Sequence, residues 1–361
     1  MDETTREPVK AWRFIRAYAV RIVLSAVLLV AVYVVISFYA TYQREQRIAK
    51  QIKSFGGDID FQDCLPSWVS QLARGRASFG SRVCRVSLLG QDLPLDVLSE
   101  VGSLTSLEEL NLTYTTYTPV TDVDLEQLKR LARLKKLYLL GAQVTDAGLE
   151  QLKGLTNLER LDISQTQVTD AGLEHLKGLM RLEMIELTKT KVSDSGMEHL
   201  KGMTGLTSLY LSDTHITDAG LKHLKGLTSL ERLFLGGTPV TDDGLKQLKG
   251  LTRLTSLGLD RTRITDAGLE HLRGLTNLSW LFLDNTQITD TGLEHLKGLT
   301  SLERINLNDT QVTDAGLEHL KGLTSLRILW LSDTKITAEG RASLRNALPD
   351  CTFREKPWYI R

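Results

Sequence analysis

The sequence lacks an excess of charge of either sign. Its 361 residues include 44 Lys plus Arg and 44 Asp plus Glu, which gives a formal net charge of +0. Without a positive excess, long-range electrostatics draws the molecule neither to nucleic acid nor to anionic lipid. We therefore expect no nucleic-acid partner.

Cysteine is scarce as well. The three cysteines, Cys64, Cys84 and Cys351, cannot form a disulfide framework. Cys64 and Cys84 both fall near the start of the folded region and could pair, and the alternative is three free, buried thiols. The redox compartment stays open between these two alternatives.

Catalytic motifs are missing too. The sequence contains no Ser/His/Asp or Cys/His set, no phosphate loop, no paired-carboxylate cleft and no HExxH segment. We predict that the chain is not an enzyme, with no catalytic residues, no cofactor and no metal.

Only one stretch is long and apolar enough to cross a membrane. Residues 22–40 are 19 residues without a charge, and at 1.5 Å per residue such a helix crosses a hydrocarbon core of about 30 Å. Aromatic residues, Tyr33, Phe38, Tyr39 and Tyr42, fill its far half and edge as an interfacial belt does. We predict a short basic tail at residues 1–16 and a transmembrane helix at residues 17–42, with the lipid bilayer as its partner.

A cleaved signal peptide is the competing interpretation of this stretch. Its best cleavage site, after Ala40, places the large residue Phe38 where a small one is needed, so we favour an uncleaved anchor. Basic residues follow the span almost as densely as they precede it, and the positive-inside rule barely discriminates. We expect the N-terminus in the cytoplasm and the repeat domain outside it, the usual signal-anchor arrangement.

The rest of the chain repeats. A hydrophobic residue, Thr or Ser, and usually Asp recur every 24 residues in ten copies without an insertion between them. These copies begin at Val120, Val144, Val168, Val192, Ile216, Val240, Ile264, Ile288, Val312 and Ile336. A period of this length is typical of leucine-rich repeats.

One unit changes its apolar spacing partway. Leu149 and Leu152 are three residues apart, which predicts a helix, whereas Leu161 and Ile163 are two apart, which predicts a strand. Thr145 suits a helix N-cap. A Thr follows most strands, and we predict that its buried side chain bonds the backbone of the turn.

The pattern LxxLxLxxT followed by V/I-T-D-A-G-L resembles ribonuclease-inhibitor-like and F-box-associated leucine-rich repeats. It is more similar to the 24-residue repeats of bacterial membrane-anchored leucine-rich-repeat proteins, as are the flanking Pro66-Ser67-Trp68-Val69 and Ala347-Leu348-Pro349-Asp350-Cys351. The resemblance implies an α/β solenoid with a parallel concave sheet of about eleven strands and convex helices. It implies little about the ligand.

Degenerate units extend the repeat towards the N-terminus. Val86 and Leu88 lie 24 residues before Leu110 and Leu112, so the repeats are predicted at residues 83–348. A juxtamembrane helix and N-terminal cap occupy residues 43–82, with Trp68 and Leu72 in the cap, and a C-terminal cap containing Phe353 and Trp358 occupies residues 349–361. Three extra residues fall within residues 113–118. They form either a functional protrusion or an insertion that arose by sequence drift without a function.

Function is expected on the concave face, where strand residues alternate with core leucines and point outward. Large aromatic residues beside Arg are typical of binding hot spots, although a half-exposed sheet also tolerates aromatics. We expected the aromatic residues of the C-terminal half to meet water. The predicted ligand-binding residues are Tyr138, Arg160, Tyr210, Arg232, Phe234, Trp280, Phe282, Arg304 and Trp330.

Two further sets of residues recur at equivalent repeat positions, and we interpret both as structural and not as ligand-binding. Asp residues line the rim beyond the strands, and six His residues share one repeat position on the helices. Neither set has the spacing of ligands converging on one metal ion. The rim residues are Asp213, Asp260, Asp284, Asp309 and Asp333, and the histidines are His175, His199, His223, His271, His295 and His319.

The leading hypothesis is a non-catalytic, membrane-anchored interaction module that binds a protein or a cell-envelope polymer on its concave face. One alternative is a structural or self-associating envelope component, whose repeats matter for length. Another is a membrane-tethered cytoplasmic scaffold similar to a substrate adaptor, although the sequence has no F-box-like helical region.

Overall fold

The computed structural model describes residues 7–63, 81–91, 97–114 and 119–354, except the side chains of residues 7–17, 63 and 81. Within these residues the strands form one 13-stranded sheet whose spatial order follows the sequence. β1 is antiparallel to β2, and every later pair is parallel. The strands are β1 Asp58–Asp63, β2 Ser81–Ser87, β3 Glu109–Asn111, β4 Lys136–Tyr138, β5 Arg160–Asp162, β6 Met184–Glu186, β7 Ser208–Tyr210, β8 Arg232–Phe234, β9 Ser256–Gly258, β10 Trp280–Phe282, β11 Arg304–Asn306, β12 Ile328–Trp330 and β13 Thr352–Arg354.

Apart from the long α1, the helices are short, connect consecutive strands and lie on the side of the repeat stack opposite the sheet. Four of them, α7, α8, α9 and α11, continue into short 3-10 helices. The helices are α1 Glu7–Ser54, α2 Val97–Val101, α3 Asp122–Leu128, α4 Asp146–Leu152, α5 Asp170–Glu174, α6 Asp194–Leu200, α7 Asp218–Leu221, α8 Asp242–Leu245, α9 Asp266–Leu269, α10 Asp290–Glu294, α11 Asp314–Leu317 and α12 Ala338–Ala347.

The predicted change from helix to strand within a unit is confirmed. Leu149 and Leu152 lie on α4 and Leu161 lies on β5, whereas Ile163, predicted to be in the strand, follows its last residue; all four are at most 1% exposed. Each fully buried side chain of this kind contributes about 1.5 to 3 kcal/mol. The parallel strands β2 to β12 match the eleven predicted, and β1 and β13 extend the sheet at its two ends.

Consecutive units are joined by an Asp that reaches to the next unit. Asp122 Oδ1 accepts from the Thr145 backbone N–H at 2.8 Å and Oδ2 from the Thr145 hydroxyl at 2.6 Å. The space for this carboxylate exists because residue 148 is glycine, where a Cβ would lie 2.4 Å from Asp122 Oδ1. The same pair of bonds recurs at each step as far as Asp314 and Thr337.

The Thr after each strand from β5 to β12 bonds its own turn, as predicted. Thr166 Oγ1 donates to the Ile163 carbonyl at 2.7 Å, and the equivalent bond forms in the seven following units. The residue before this Thr has positive φ, for example 55° at Asp213 and 52° at Asp309. Asp and Asn tolerate this left-handed conformation better than most residues, which gives the acidic rim a structural role.

Helix α1 covers the N-terminal end of the stack. Its residues Ile48, Ala49 and Ile52 are at most 5% exposed and join the hydrophobic core. Glu45, 2% exposed, pairs with Arg82 at 2.6 Å and accepts from the Val83 backbone N–H at 2.9 Å. Trp68 and Leu72, predicted to form this cap, lie outside the described residues.

The other end is covered by α12 and β13. Leu344, Leu348 and Cys351 are buried there, and the Arg345 guanidinium lies 5.2 Å from the centroid of the Phe353 ring. Burial raises the pKa of the Cys351 thiol to about 11. Trp358 and Cys64 are outside the described residues, so the pairing of Cys64 with Cys84 stays a prediction.

The apolar part of α1 is a separate region. Residues 18–54 are the one described helix long and apolar enough to cross a membrane, and none of its most apolar window is buried against the protein. Length and composition alone allow either a membrane span or a signal sequence.

Candidate ligand-binding face

Each three-residue strand places its middle residue in the core and its first and third residues on the opposite face, which we call the concave face. Leu137 of β4, for example, is fully buried while its two neighbours are half-buried. The parallel register aligns these outward residues in two columns that run across the sheet. The third-residue column is Tyr138, Asp162, Glu186, Tyr210, Phe234, Gly258, Phe282, Asn306 and Trp330, and the first-residue column includes Arg160, Arg232, Trp280 and Arg304. All nine predicted ligand-binding residues thus occupy the two columns.

Three rings of the third-residue column contact one another. Tyr210 and Phe234 stack with centroids 5.0 Å apart and planes at 8°, and Phe234 and Phe282 lie 6.0 Å apart at 37°. The second contact crosses β9, where Gly258 has no side chain. A Cβ at Gly258 would lie 2.5 Å from Phe234 Cδ1, so glycine permits the rings to meet.

The expectation that the aromatic residues of the C-terminal half meet water is wrong for two of them. Phe282 is 3% exposed and Trp330 is 1% exposed. Neighbouring parallel strands lie only about 4.8 Å apart, so large side chains in one column cover one another. Tyr210, Phe234 and Trp280 remain half-buried and present ring surface to solvent.

The arginines of the first-residue column differ in their contacts. The Arg304 guanidinium lies 4.3 Å from the centroid of the Trp280 ring, a cation–π contact. Arg232 donates to the Ser208 hydroxyl at 3.2 Å. Arg160 and Arg232 are exposed and make no ion pair within the part of the chain that the structure describes. The guanidinium of Arg160, and the Arg232 donors that do not bond Ser208 or Tyr210, are therefore available to a ligand.

Two neighbouring carboxyl groups in the third-residue column were missed by the sequence reasoning. Burial raises the pKa of Glu186 to about 7, with a smaller contribution from the negative charge of Asp162. Burial likewise raises the pKa of Asp162. The residues are 24 positions apart, one repeat, so the signal was the repeat register and not a local motif.

The acidic rim is largely engaged within the protein. Asp213 pairs with Arg261 at 2.9 Å, and Arg261 also lies 3.3 Å from Asp260. Asp284, 9% exposed, accepts from the Asn306 side-chain amide at 2.7 Å. These contacts favour a structural role for the rim.

The side chains of the histidine column do not meet at one point. Its six members are half-buried in separate repeats, and Arg273 contacts His295 Nδ1 at 2.6 Å. No group of three or more His, Cys, Asp or Glu in the described ranges is arranged to hold a metal ion.

Sequence profiles described as leucine-rich repeat match the chain at residues 154–177, 204–264, 252–312 and 276–336. A comparison with curated proteins found no match.

Solved structures of other repeat proteins share the fold. An internalin, inlF, from Listeria monocytogenes has a TM-score of 0.55 and 24% identity, covering 80% of this chain and 93% of the internalin. A leucine-rich-repeat protein from Leptospira interrogans has a TM-score of 0.53 and 18% identity over 71% of this chain and 74% of its own.

A third structure is the ectodomain of the Arabidopsis receptor kinase HAESA in complex with an IDA peptide hormone. It has a TM-score of 0.59 and 19% identity, and the match covers 89% of this chain and 53% of that ectodomain. The profiles that match its repeats, together with the solenoid they build, make this chain a leucine-rich-repeat protein.

Proposed function

We propose that this protein is a membrane-anchored interaction module that binds a protein ligand on its concave face. The observation that carries the proposal is the half-buried aromatic surface of Tyr210, Phe234 and Trp280, flanked by the exposed guanidinium groups of Arg160 and Arg232. Aromatic residues and Arg dominate binding energy at protein interfaces.

The rigidity of this surface supports the proposal. Its residues lie on strands that are hydrogen-bonded on both sides, and Tyr210 and Phe234 already stack. A ligand therefore orders few side chains, which lowers the entropic cost of binding. HAESA, a similar solenoid, was solved with a peptide hormone bound, which favours a protein or peptide over an envelope polymer as the ligand here.

An anchor is supported by the composition of α1. Its apolar window carries a mean hydropathy of 2.7 and packs against nothing in the described part of the protein, as a lipid-facing segment does. In this proposal the repeat domain lies on the outer side of that membrane.

The binding proposal is tested by photo-crosslinking in intact cells. A benzoylphenylalanine replaces Trp280 on the concave face, and in a control it replaces Lys225, which is exposed on the opposite side. We expect one discrete crosslinked partner from position 280 only, lost when Tyr210 and Phe234 are both changed to Ala. Identical adducts from both positions, or adducts that survive the double substitution, would contradict the proposal.

The orientation is tested separately by protease protection. Cells with a permeabilised outer layer and an intact inner membrane are treated with protease, and a C-terminal tag is followed. Digestion of the repeats supports the outer location, and protection would move the protein to the cytoplasmic side.

A further inference from the structure

The concave face changes character between β4 and β7. Its third-residue column reads Tyr138, Asp162, Glu186, Tyr210, so two carboxyl groups on adjacent strands lie between two tyrosines. All four side chains are half-buried, and each therefore keeps part of its surface in contact with solvent. This group of four is here called the Asp162–Glu186 subsite.

Both carboxyl groups are held in place from one side. Asp162 Oδ1 accepts from the Ser164 backbone N–H at 2.9 Å, and Glu186 Oε1 accepts from the Thr188 hydroxyl at 2.5 Å. No second hydrogen bond of good geometry reaches either carboxyl within the described residues, although the Ser164 hydroxyl and, at Glu186, the Thr188 backbone N–H lie close enough to lower the pKa. Each carboxyl therefore keeps acceptor capacity for a donor from outside.

A buried hydroxyl at the same place also lacks a partner. Ser164 is 3% exposed, and its Oγ makes no hydrogen bond of acceptable geometry among the described residues. It lies near both carboxyl groups and lowers the pKa of each. A buried hydroxyl without a partner carries a desolvation cost. That cost falls when one of the carboxyl groups ionises and accepts a hydrogen bond from this hydroxyl.

No cation of the protein neutralises the pair. Arg160 and Arg232 lie near the phenol of Tyr210, whose pKa is raised by burial and lowered by these charges. Neither makes an ion pair with Asp162 or Glu186 in the described structure. Two carboxyl groups that repel each other and lack an internal cation are suited to an external one.

We infer that the Asp162–Glu186 subsite binds a lysine side chain of the protein ligand, an inference that rests on the proposed function. The ammonium donates to both carboxyl groups. The tyrosines on either side contact its alkyl chain and attract its charge through their ring faces. A metal ion fits less well, because hard cations such as Ca²⁺ take six or more oxygen ligands and only two carboxyl groups are present.

Binding should depend on pH, because the ammonium pairs with ionised carboxyl groups. The titratable and charged groups facing Glu186 are Asp162 on β5, Tyr210 on β7, and Arg160 and Arg232 near that phenol. With a pKa of about 7, Glu186 is mostly protonated at pH 6 and mostly ionised at pH 8. Affinity for the ammonium should therefore rise across this interval.

The test uses the full chain in nanodiscs and saturation-transfer NMR with N-acetyl-lysine methylamide as the probe. We expect binding at pH 8, several-fold weaker binding at pH 6, and about tenfold weaker binding to Glu186→Gln, the loss expected for one charge-assisted hydrogen bond. N-acetyl-norleucine methylamide, which lacks the ammonium, should not bind. Glu174→Gln, which removes an exposed carboxylate on the helical side, is the matched control and should bind like the unaltered protein.

Three results would overturn the inference: equal binding to the double variant D162N/E186Q, equal binding of the norleucine probe, or displacement of the lysine probe by an equimolar amount of CaCl₂. Failure of the subsite is distinguishable from failure of the proposed function. If D162N/E186Q loses the lysine probe and the crosslink from position 280 to a partner is absent, the subsite stands and the interaction module fails. If the crosslink forms and the probe does not bind, only the subsite is wrong.

Discussion

The two halves of the concave face differ although the backbone beneath them is the same. Between β3 and β6 the face is charged, with Lys136 paired to Glu109 at 3.0 Å and with Asp162 and Glu186, which have no ion pair among the described residues, on the next strands. Between β7 and β12 the third-residue column is aromatic and partly closed over, ending at the buried Trp330. In both halves the middle residue of each strand is a buried Leu or Ile.

This difference shows which positions of the repeat are constant and which vary from unit to unit. The core positions of every unit are filled by Leu, Ile, Val or Met at close to 0% exposure. The start of each helix is set by the Asp bond to the next unit, and the turn after each strand from β5 to β12 is set by its Thr. On the concave face the two outward residues of each strand vary between units, so these two columns determine the chemistry of that face.

The largest expected effect on stability comes from the difference in side-chain burial between the two halves. Trp330→Ala removes a side chain that is 1% exposed and should lower the free energy of unfolding by about 3 to 5 kcal/mol. Tyr138→Ala, at the equivalent position of the charged half, removes a half-buried ring and should cost about 1 kcal/mol. Urea unfolding followed by circular dichroism measures both, and equal costs would remove the distinction.

A smaller effect is expected from filling the gap between the rings. Gly258→Ala places a Cβ 2.5 Å from Phe234 Cδ1 and should cost about 2 kcal/mol by forcing the ring aside. Gly154→Ala is the control, because no atom lies within 4 Å of the added Cβ. Thermal unfolding should show a loss for the first variant alone, and loss of the Phe234–Phe282 contact should also change the near-ultraviolet circular dichroism.

Glu186, in the charged half, makes the stability of the protein depend on pH. Its pKa of about 7 in the folded protein exceeds the ordinary value of 4.5, so the folded state binds the proton more tightly. This contribution to stability is complete below pH 4.5 and is lost as pH rises through 7. Glu186→Gln should therefore stabilise the protein at pH 8 by about 1 to 2 kcal/mol after allowance for solvent screening, and should have no such effect at pH 4.

The control for this pH dependence is Glu198→Gln. The pKa of Glu198 is lowered by its bond to Lys201, so its ionised form is already favoured in the folded state. Unfolding midpoints of both variants at pH 4 and pH 8 test this difference. A Glu186→Gln protein that is less stable than the unaltered protein at pH 8 would contradict the raised pKa of Glu186.

The smallest effect concerns the surface ion pair of the charged half. Lys136→Met should cost about 0.5 kcal/mol at low salt, and the difference should vanish at 1 M NaCl, because exposed ion pairs are weak and screened. The Trp330→Ala cost should persist at that salt concentration. Salt titration of both variants thus distinguishes an electrostatic half from an apolar half.

The fold was accessible to sequence reasoning because the repeat imposes it. The 24-residue period, the change of apolar spacing and the turn Thr predict the strands, the helices and the Thr166 bond to Ile163. The antiparallel β1 was not predicted, because it belongs to no repeat. Nor was the Asp122 bond to Thr145, because it joins residues 23 apart through a gap that depends on Gly148.

The candidate site was accessible only in part. Alternation along a strand predicts which residues point outward, and all nine lie in the two outward columns. It does not predict how much of an outward ring its neighbours cover, and Phe282 and Trp330 are buried for that reason. The raised pKa of Glu186 also needed the sheet, since it follows from burial beside Asp162 on the adjacent strand.

The continuity of α1 has a mechanical consequence. The 48-residue helix is about 72 Å long, and its last turns are locked into the first repeats by Ile48, Ile52 and the Glu45–Arg82 pair. No hinge separates the apolar segment from the solenoid within this helix. A ligand that tilts or twists the solenoid must therefore turn the helix with it as a rigid lever, carrying torque to the apolar segment.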